Sequence, residues 1–306
     1  MTRTWDPEIV VDAQLARDLV RASFPELDCA SVEPLDTGFD NTAFLIDQRY
    51  VFRFPRRQVA VALLEIESRF LQKWGKRLSL PVPQPDWVAE PSPAYGWPFA
   101  GYKLLAGTTA CRANLSTQQR AANAELLGLF LKGLHEIPLT DCRDIGLRGD
   151  VFNKFDHQKL KTEGRKYLAE AHELGLVADP AAVENIFQFP DSLVENGTRA
   201  VVHGDLYGRH ILVDDRRSAC GVIDWGDVHA GNPAVDLVVV HSFLPPESHA
   251  NFLAAYGAVD ETSWLLARIR AVYVALILLV YGHSRADQAL IEEGRTTLSF
   301  LPADAR

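Results

Sequence analysis

The spacing of hydrophobic positions changes about a third of the way along the chain. Before residue 106, short apolar runs alternate with turn residues and predict β-strands, at Cys29–Leu35, Asn41–Asp47 and Tyr50–Phe54. The last two runs are separated by little more than Gln48 and Arg49, which predicts an antiparallel hairpin. Helical spacing predicts one helix capped by Asp12 and another over Gln58–Trp74. A proline-rich stretch, residues 81–98, then leads into a predicted buried strand over Phe99–Leu105.

Helical spacing dominates the rest of the chain. Ser116 and Gln119 form a capping-box pattern at the start of one predicted helix. The predicted helices cover Thr117–His135 and residues 156–175, 179–189, 233–243, 246–256, 260–282 and 285–300. Only residues 200–224 interrupt this series, with short β-like runs. We therefore predict an α+β protein with a small β-containing domain, residues 1–105, and a larger helical domain, residues 106–306.

The charge balance narrows the partners that the chain is expected to bind. Forty Asp and Glu residues against 31 Lys and Arg give a formal net charge of −9. Such a chain repels phosphate backbones and anionic lipid, so we expect no nucleic-acid partner and no membrane-surface partner. A cationic or neutral small molecule is easier to accommodate. The four cysteines form no CxxC pair, which is typical of reduced thiols in a cytosolic protein.

Two features of the sequence argue against export and membrane insertion. Residues Met1–Glu8 lack the apolar core of a signal peptide. The most hydrophobic run, Ala271–Gly282, is too short to span about 30 Å of hydrocarbon as a helix, so we predict that it is a core helix. We therefore expect a cytoplasmic monomer.

The residues with the clearest chemical pattern lie in the segment VVHGDLYGRHILVDDRRSACGVIDWGD, residues 201–227. Two apolar runs, Ile211–Val213 and Gly221–Ile223, flank a polar turn, and polar residues stand at their ends. We expect Asp205, His210 and Asp224 to converge at one edge of this hairpin. Carboxylates beside an imidazole suit two tasks, the removal of a proton from a hydroxyl group and the binding of a divalent cation.

Any one of these aspartates, taken alone, is better explained as a turn cap. The ordered set is harder to attribute to capping, because an HxD motif, a histidine five residues later and an IDWxD segment follow one another. No GxGxxG, GxxxxGK[ST] or GxSxG pattern is present, so a Rossmann oxidoreductase, a P-loop enzyme and a serine hydrolase lack their usual motifs. Metal-dependent hydrolysis stays open as a use of His203, Asp205, His210 and Asp224.

The segment HGDLYGRHILVD…GVIDWGDVHAGNPAVDL resembles the aminoglycoside phosphotransferase family, including its macrolide-phosphotransferase branch. This resemblance implies a protein-kinase-like, two-lobed fold and transfer of the γ-phosphoryl group of ATP or GTP. It implies that Asp205 deprotonates the acceptor hydroxyl, that His203 organises the catalytic loop and that Asp224 binds Mg2+. His210 stands where the family usually has asparagine as a second magnesium ligand, although the macrolide branch resembles this chain in carrying histidine there.

The same resemblance assigns nucleotide-binding roles in the first domain. Arg53 stands where the family has its β3 lysine, and Glu67 is its expected partner, with Glu65 as the competing choice. A cation at this position neutralises phosphate charge. The loop over residues 35–41 would bring backbone N–H groups of Gly38 to Asn41 to the phosphates. The backbone of the predicted strand Phe99–Leu105 would receive the nucleotide base, through Phe99, Tyr102 and Leu104.

The acceptor is expected to be a small molecule with a hydroxyl group. An antibiotic, aminoglycoside or macrolide, is the leading hypothesis, and the alternatives are a metabolic hydroxyl kinase and a nucleotide-binding pseudokinase. Asp227 and His229 are the substrate-binding candidates. Asp236 is expected to be a structural helix cap, and His135 and His241 are expected to be structural, while Asn232 stands where the family more usually has aspartate before the proline. The aromatic residues that could line the pocket, although each suits the core as well, are Tyr207, Trp264, Tyr273 and Tyr281.

Overall fold

The computed structural model describes residues 7–38, 40–190, 193 and 197–301. Most of the N-terminal segment on which the signal-peptide prediction rests, and Phe39 in the predicted nucleotide loop, lie outside these residues. The chain divides into two compact units. The first consists of Met1–Ala106, Cys142–Gly146 and Trp225–Val228, and the second of Gly107–Asp141, Leu147–Asp224 and His229–Arg306.

A five-stranded antiparallel sheet forms the frame of the first unit. Its strands are β1 Val32–Thr37, β2 Asn41–Ile46, β3 Tyr50–Pro55, β4 Pro85–Ala89 and β5 Phe99–Lys103, in the order β1-β2-β3-β5-β4. The predicted hairpin is present as β2 and β3. Its turn lies one residue earlier than predicted, because Asp47 and Gln48 are the residues with positive φ, 50° and 54°. Both angles suit the tight turn that connects two twisted strands.

Two helices and an aromatic core complete this unit. Helix α1, Ala13–Ser23, starts where the Asp12 side chain accepts the Leu15 N–H at 2.8 Å, and helix α2 covers Gln58–Trp74 as predicted. Phe52, Phe54 and Phe99 are buried at the centre. The strand predicted to continue to residue 105 ends at Lys103, and the Leu104 side chain is 45% exposed. That part of the buried-strand prediction is wrong.

The second unit is mainly helical, with two small sheets. Its helices are α3 Thr117–Ala121, α4 Ala124–His135, α5 His157–Glu173, α6 Pro180–Glu184, α7 Ala234–Ser242, α8 His249–Tyr256, α9 Glu261–Ser284 and α10 Gln288–Ser299. One sheet contains β6 Thr108–Thr109, β8 Ile211–Val213 and β9 Ala219–Val222, and the other pairs β7 Ala200–Val202 with β10 His229–Gly231. Strands β7 and β8 therefore flank the HGD segment, and β9 leads into Asp224.

The prediction of a single helix over residues 117–135 is wrong, because this segment forms two helices, α3 and α4. The break occurs at Asn123, a residue that is 1% exposed. Its side-chain amide donates to Gln119 O at 2.8 Å and to Arg217 O at 3.0 Å, and its carbonyl oxygen accepts the Ala219 N–H at 2.6 Å. Asn123 thus holds the turn between β8 and β9. A local sequence pattern cannot predict contacts with residues so distant in the chain.

Helix α9 contains the most hydrophobic run of the chain. It is 24 residues long, and its most apolar stretch of 18 residues has a mean hydropathy of 1.9, so by length and composition it is the one helix among the described residues that could cross a membrane. The run Ala271–Gly282 belongs to this longer helix, so the expectation that it is too short to span a membrane does not hold, whereas the prediction of a core helix does. Within the protein, 61% of its most apolar window is buried, and it packs against α5, α7 and α10. These contacts make α9 the central helix of the second unit.

Candidate active site

Backbone hydrogen bonds fix the HGD segment that follows β7. The Asp236 carboxylate of α7 is fully buried and accepts the His203 N–H and the Gly204 N–H, both at 2.7 Å. Gly204 has a φ of 88°, which a side chain at this position would oppose. Asp236 was predicted to be a structural helix cap. It is structural, but its carboxylate braces the loop over residues 203–210, which the family resemblance identifies as the catalytic loop, and it does not cap α7.

Buried neighbouring groups stabilise the ionised form of the Asp236 carboxylate. His135 Nε2 lies 3.0 Å from its Oδ2 atom, and the His135 Nδ1 atom lies 2.8 Å from the Tyr256 hydroxyl. Burial raises the pKa of Asp236, but the hydrogen bond and charge of His135, with smaller contributions from His203 and the Gly204 N–H, outweigh it and hold the pKa below its ordinary value. The carboxylate is therefore ionised wherever the protein is folded near neutral pH.

His203 organises the loop as a neutral imidazole. Its Nε2 atom lies 3.0 Å from the Ile223 carbonyl oxygen, which only accepts, so Nε2 carries the proton. Its Nδ1 atom can then accept the Asp205 N–H at 3.2 Å. Burial lowers the pKa of His203 and keeps the ring uncharged. These contacts connect the catalytic loop to the residue before Asp224.

Asp205, His210 and Asp224 converge as the sequence predicts. His210 Nδ1 lies 2.6 Å from the Asp205 carbonyl oxygen and 3.6 Å from its Oδ2 atom, so Nδ1 carries a proton. The other ring nitrogen, Nε2, lies 3.3 Å from Asp224 Oδ2. In the neutral ring this nitrogen presents a lone pair towards a carboxylate oxygen. Such a pairing suits a metal ion bound between the two atoms.

Asp224 has an unusual backbone conformation. Asp224 has a φ of 64°, a region that non-glycine residues rarely adopt outside functional sites and turns. The preceding residue, Ile223, donates its N–H to His210 O at 2.9 Å and its carbonyl oxygen contacts His203. Because Ile223 is held on both sides, the chain turns sharply at Asp224, whose side chain is 48% exposed.

The donor set at this point suits a hard cation only in combination with other ligands. Asp224 supplies a carboxylate oxygen and His210 an imidazole nitrogen, and within the described residues no group of three or more Asp, Glu, His and Cys is arranged to hold a metal. Mg2+ is commonly bound by one or two carboxylates, with phosphate oxygens and water as further ligands. The two donors fit that mode. An imidazole nitrogen is an unusual magnesium ligand, and it broadens the choice towards other divalent ions.

The carboxylate of Asp205 is available for chemistry. Its side chain is 37% exposed, whereas the backbone on both sides is held by the contacts described above. A carboxylate with a fixed backbone and an open face can accept the proton of an incoming hydroxyl group. This arrangement agrees with the role that the family resemblance implies for Asp205.

In the first unit, Arg53 on β3 pairs with Glu67 on α2. Their Arg53 Nη1 and Glu67 Oε1 atoms are 2.5 Å apart, and both side chains are buried. The competing candidate, Glu65, instead contacts the exposed Arg69 at 3.4 Å. The predicted partner of Arg53 is therefore Glu67. Gly226, from the IDWGD segment, lies beside this pair.

Two arginines after β3 hold the predicted nucleotide loop. The Gly38 N–H donates to Asn41 O at 3.0 Å, and Arg56 Nη1 donates to Gly38 O at the same distance. Arg57 pairs with Asp40 at 3.0 Å. Arginine side chains therefore contact the described residues of this loop, Gly38 and Asp40. The sequence pattern had assigned no role to Arg56 and Arg57.

The predicted base-binding strand is only partly open to a ligand. Phe99 points its ring into the core, where it stacks on Phe54 with ring centroids 4.7 Å apart. The Leu104 N–H donates to Arg49 O at 2.7 Å and is already used. Tyr102, which pairs with both Val51 and Pro85, is half-buried. Of these three residues, Leu104 has the most exposed side chain.

His229 lines a cavity of about 660 Å3 in the second unit. Polar residues dominate its lining, which includes Asp150, Asn153, Asp156, Arg199 and Asn232. Asn232 is 3% exposed, and its carbonyl oxygen accepts the Ala234 N–H at 2.9 Å. Asp227, the other substrate candidate, belongs to the first unit and is half-buried.

The aromatic candidates make contacts typical of the core. Trp264 packs against His241 and His249, and burial lowers the pKa of His241 to about 3. The Tyr273 hydroxyl donates to Glu163 at 2.5 Å. Tyr207 is buried, and Tyr281 packs against the small cluster that contains it. His135 and His241 are structural, as predicted.

A buried ion pair that no sequence pattern predicts lies next to the catalytic loop. Arg120 on α3 and Glu293 on α10 form two hydrogen bonds, at 3.1 and 2.6 Å, and are nearly inaccessible to solvent. A Cβ atom on Gly208, between Asp205 and His210, would lie 2.1 Å from Glu293 Oε1. The glycine therefore lets the catalytic loop rest directly on this pair.

Known proteins resemble the chain over most of its length. A sequence profile of the phosphotransferase enzyme family, APH, matches residues 31–272. Viomycin phosphotransferase from Streptomyces vinaceus is 35% identical over 101 residues, a match that spans 32% of this chain and 35% of that protein. The chain thus matches about a third of the length of this relative.

Solved structures share the fold. The GDP and kanamycin complex of APH(2")-IIia is 25% identical with a TM-score of 0.65, and the match covers 93% of this chain and 97% of that one. Macrolide 2'-phosphotransferase MphH from Brachybacterium faecium is 20% identical with a TM-score of 0.61, over 95% of this chain and 99% of that one. The resemblance and the kinase-like α+β fold inferred from the sequence are confirmed. The chain belongs to the phosphotransferase enzyme family and is a phosphotransferase of the kinase type.

Proposed function

We propose that this protein transfers the γ-phosphoryl group of ATP or GTP to a hydroxyl group of a small molecule, with a divalent cation, most simply Mg2+. The observation that carries the proposal is the convergence of Asp205, His210 and Asp224 at one edge of the β8–β9 hairpin. Asp205 takes the proton of the acceptor hydroxyl, and His210 and Asp224 hold the cation. Catalysis of phosphoryl transfer consists largely of positioning and charge stabilisation, which these groups can supply.

The nucleotide belongs, in this proposal, to the first unit. Arg53, aimed by Glu67, neutralises phosphate charge, and Gly38 and Asn41 offer backbone groups to the phosphates. Arginine presents a planar fork where lysine presents a point charge, so the phosphates are gripped through paired N–H groups. Phe99, Tyr102 and Leu104 border the base. The bound GDP named for the related structure supports a test with guanine as well as adenine nucleotides.

The acceptor, we propose, is an antibiotic that carries amino groups. Kanamycin is named in the related complex and viomycin in the related enzyme, and a macrolide enzyme shares the fold. The polar cavity lined by His229 is the acceptor site in this proposal, with Asp150 and Asp156 facing the cationic groups. Asp227 stays a separate substrate candidate, in the first unit. The formal net charge of −9 favours a polycation over a macrolide. The enzyme acts as a cytoplasmic monomer, with residues 1–105 as nucleotide lobe and residues 106–306 as acceptor lobe.

The test is a phosphate-transfer screen with ATP and with GTP. The acceptors are kanamycin, gentamicin, streptomycin, viomycin, a macrolide and common hydroxyl metabolites. We expect acceptor-dependent nucleotide turnover that is lost in Asp205→Asn and Asp224→Ala. Transfer to a metabolite alone would identify a metabolic kinase. Tight nucleotide binding without transfer to any acceptor would instead indicate a pseudokinase, the alternative suggested by Arg53 and His210.

The metal assignment has its own test. His210→Asn, which restores the amide usual in the family, should retain or improve turnover with Mg2+. Unchanged metal affinity in His210→Ala would remove this residue from the site. His229→Gln should raise the acceptor KM and leave the nucleotide KM unchanged. If the acceptor KM of His229→Gln equals that of the wild type, the acceptor binds elsewhere.

A further inference from the structure

We propose that Lys154 is a positioning residue for the catalytic aspartate. Lys154 lies in the irregular segment before α5, outside every motif that the sequence pattern singles out. Its ammonium group donates to the Gly204 carbonyl oxygen at 2.8 Å, and its side chain is buried. Gly204 directly precedes Asp205. The inference rests on the proposed function, because it gives Lys154 a purpose only if Asp205 is the catalytic base.

The peptide between Gly204 and Asp205 is held from both sides. The Gly204 N–H donates to Asp236, and the Asp205 carbonyl oxygen contacts His210 Nδ1. Lys154 supplies a charged donor to the Gly204 carbonyl oxygen. Because Gly204 has a positive φ of 88° and little intrinsic preference, this contact fixes the direction in which the Asp205 backbone leaves the turn. The direction of the backbone sets the direction of the carboxylate.

The segment that carries Lys154 is itself anchored. The Asp150 carboxylate accepts the Phe152 N–H at 3.0 Å and the Lys154 N–H at 2.5 Å. On the other side, Arg270 of α9 donates to the Lys154 carbonyl oxygen at 2.9 Å. The backbone on both sides of the lysine is thus fixed, and its long side chain extends from a fixed point to the catalytic loop.

A cation at this position does more than a neutral donor would. Burying an ammonium group costs more free energy than burying an amide, so a contact that served packing alone would be cheaper with a neutral side chain. A charged donor also makes a stronger hydrogen bond to the carbonyl oxygen. The neighbours of Lys154 on the segment, Asp150, Asn153 and Phe155, line the 660 Å3 cavity. Lys154 therefore connects the wall of the proposed acceptor site to the catalytic loop.

The experiment compares three variants with the wild type. Lys154→Met removes the donor and keeps the aliphatic stem, Lys154→Gln keeps a neutral donor, and Lys159→Met removes an exposed lysine of α5 as the control. We expect Lys154→Met to lower kcat at least about twentyfold, with nucleotide and acceptor KM values within about twofold of the wild type. The kcat of Lys154→Gln should lie between those of Lys154→Met and the wild type, and the kcat of Lys159→Met should match the wild type.

Hydrogen exchange supplies a readout that does not depend on transfer. Lys154→Met should speed exchange at the backbone amides of residues 203–206 and leave β8 protected. If the wild-type protein transfers phosphate to no acceptor, the proposed function is refuted, and faster exchange in Lys154→Met would then show only that Lys154 holds the loop. The positioning role is overturned if kcat and loop exchange in Lys154→Met match the wild type. It is equally overturned if Lys154→Met does not fold while Lys154→Gln has full kcat, because the lysine would then serve packing alone.

Discussion

Replacement of Asp236 by asparagine tests how much the catalytic loop depends on its buried carboxylate. Asp236 is fully buried and accepts the His203 and Gly204 N–H groups, both at 2.7 Å, while His135 Nε2 lies at 3.0 Å from the same carboxylate. Asparagine has nearly the same shape but only one acceptor oxygen. Whichever way the amide is turned, its NH2 group faces at least one backbone N–H donor.

The expected loss of stability follows from these contacts. One hydrogen bond to a charged group disappears, which is worth about 1.5–3 kcal/mol, and a buried donor is left unsatisfied at a further cost of about 1–3 kcal/mol. We therefore expect Asp236→Asn to lower the free energy of unfolding by about 3–5 kcal/mol. This is a large part of the ~5–15 kcal/mol that stabilises a typical domain. The catalytic loop should lose its geometry together with this support.

The assay is urea unfolding at pH 7, followed by circular dichroism. Asp215→Asn is the matched control, because Asp215 is exposed in the turn between β8 and β9, and its substitution should change stability by no more than about 0.5 kcal/mol. A loss below about 1 kcal/mol in Asp236→Asn, with an unchanged m-value, would refute the reasoning. It would mean that the loop finds other partners for its N–H groups.

Three further predictions follow from the second unit. Gly208→Ala should lower kcat more than tenfold, because the new methyl group would lie 2.1 Å from Glu293 Oε1, which is held in a buried ion pair. Asn123→Ala should cost about 2–4 kcal/mol in urea unfolding, since three hydrogen bonds are lost and buried backbone groups lose their partners. Burial, together with His249 and Arg268, lowers the pKa of His241 from 6.5 to about 3. Because the unfolded chain therefore binds this proton at a higher pH than the folded protein does, the free energy of unfolding should fall as pH drops from 6.5 towards 3, by up to about 1.4 kcal/mol per pH unit.

Each of these predictions has a clear contrary result. Full activity in Gly208→Ala would show that the catalytic loop has room to move away from α10. Wild-type stability in Asn123→Ala would show that water replaces the asparagine. For the pH dependence, the comparison is with His241→Phe, whose free energy of unfolding should change less between pH 6.5 and 4 than that of the wild type. Parallel stability curves for the two proteins would assign the acid sensitivity to other groups.

Features set by local patterns could be predicted from the sequence. Helix α2 has the predicted bounds, Gln58–Trp74, because its apolar period is regular, and Asp12 caps α1 as its position indicates. The approach of Asp205, His210 and Asp224 follows from the short hairpin that connects them. Glu67 could be named but not chosen over Glu65 until the structure showed which carboxylate lies beside Arg53.

What the sequence could not predict depends on residues far apart in the chain. Lys154 meets Gly204 across 50 positions, and Arg120 meets Glu293 across 173. No periodicity encodes such pairs, and a buried lysine looks like an exposed one in the sequence. The break between α3 and α4 has the same origin, because Asn123 bonds to Ala219 across 96 positions.

The central claim is that Asp205 acts as the base for phosphoryl transfer to a hydroxyl group. The most direct measurement is the rate at which phosphorylated acceptor forms in wild-type protein and in Asp205→Asn, at saturating nucleotide and with the best acceptor from the screen. We predict a rate at least about a hundredfold lower in Asp205→Asn, with nucleotide affinity unchanged. Equal rates in the two proteins would contradict the account.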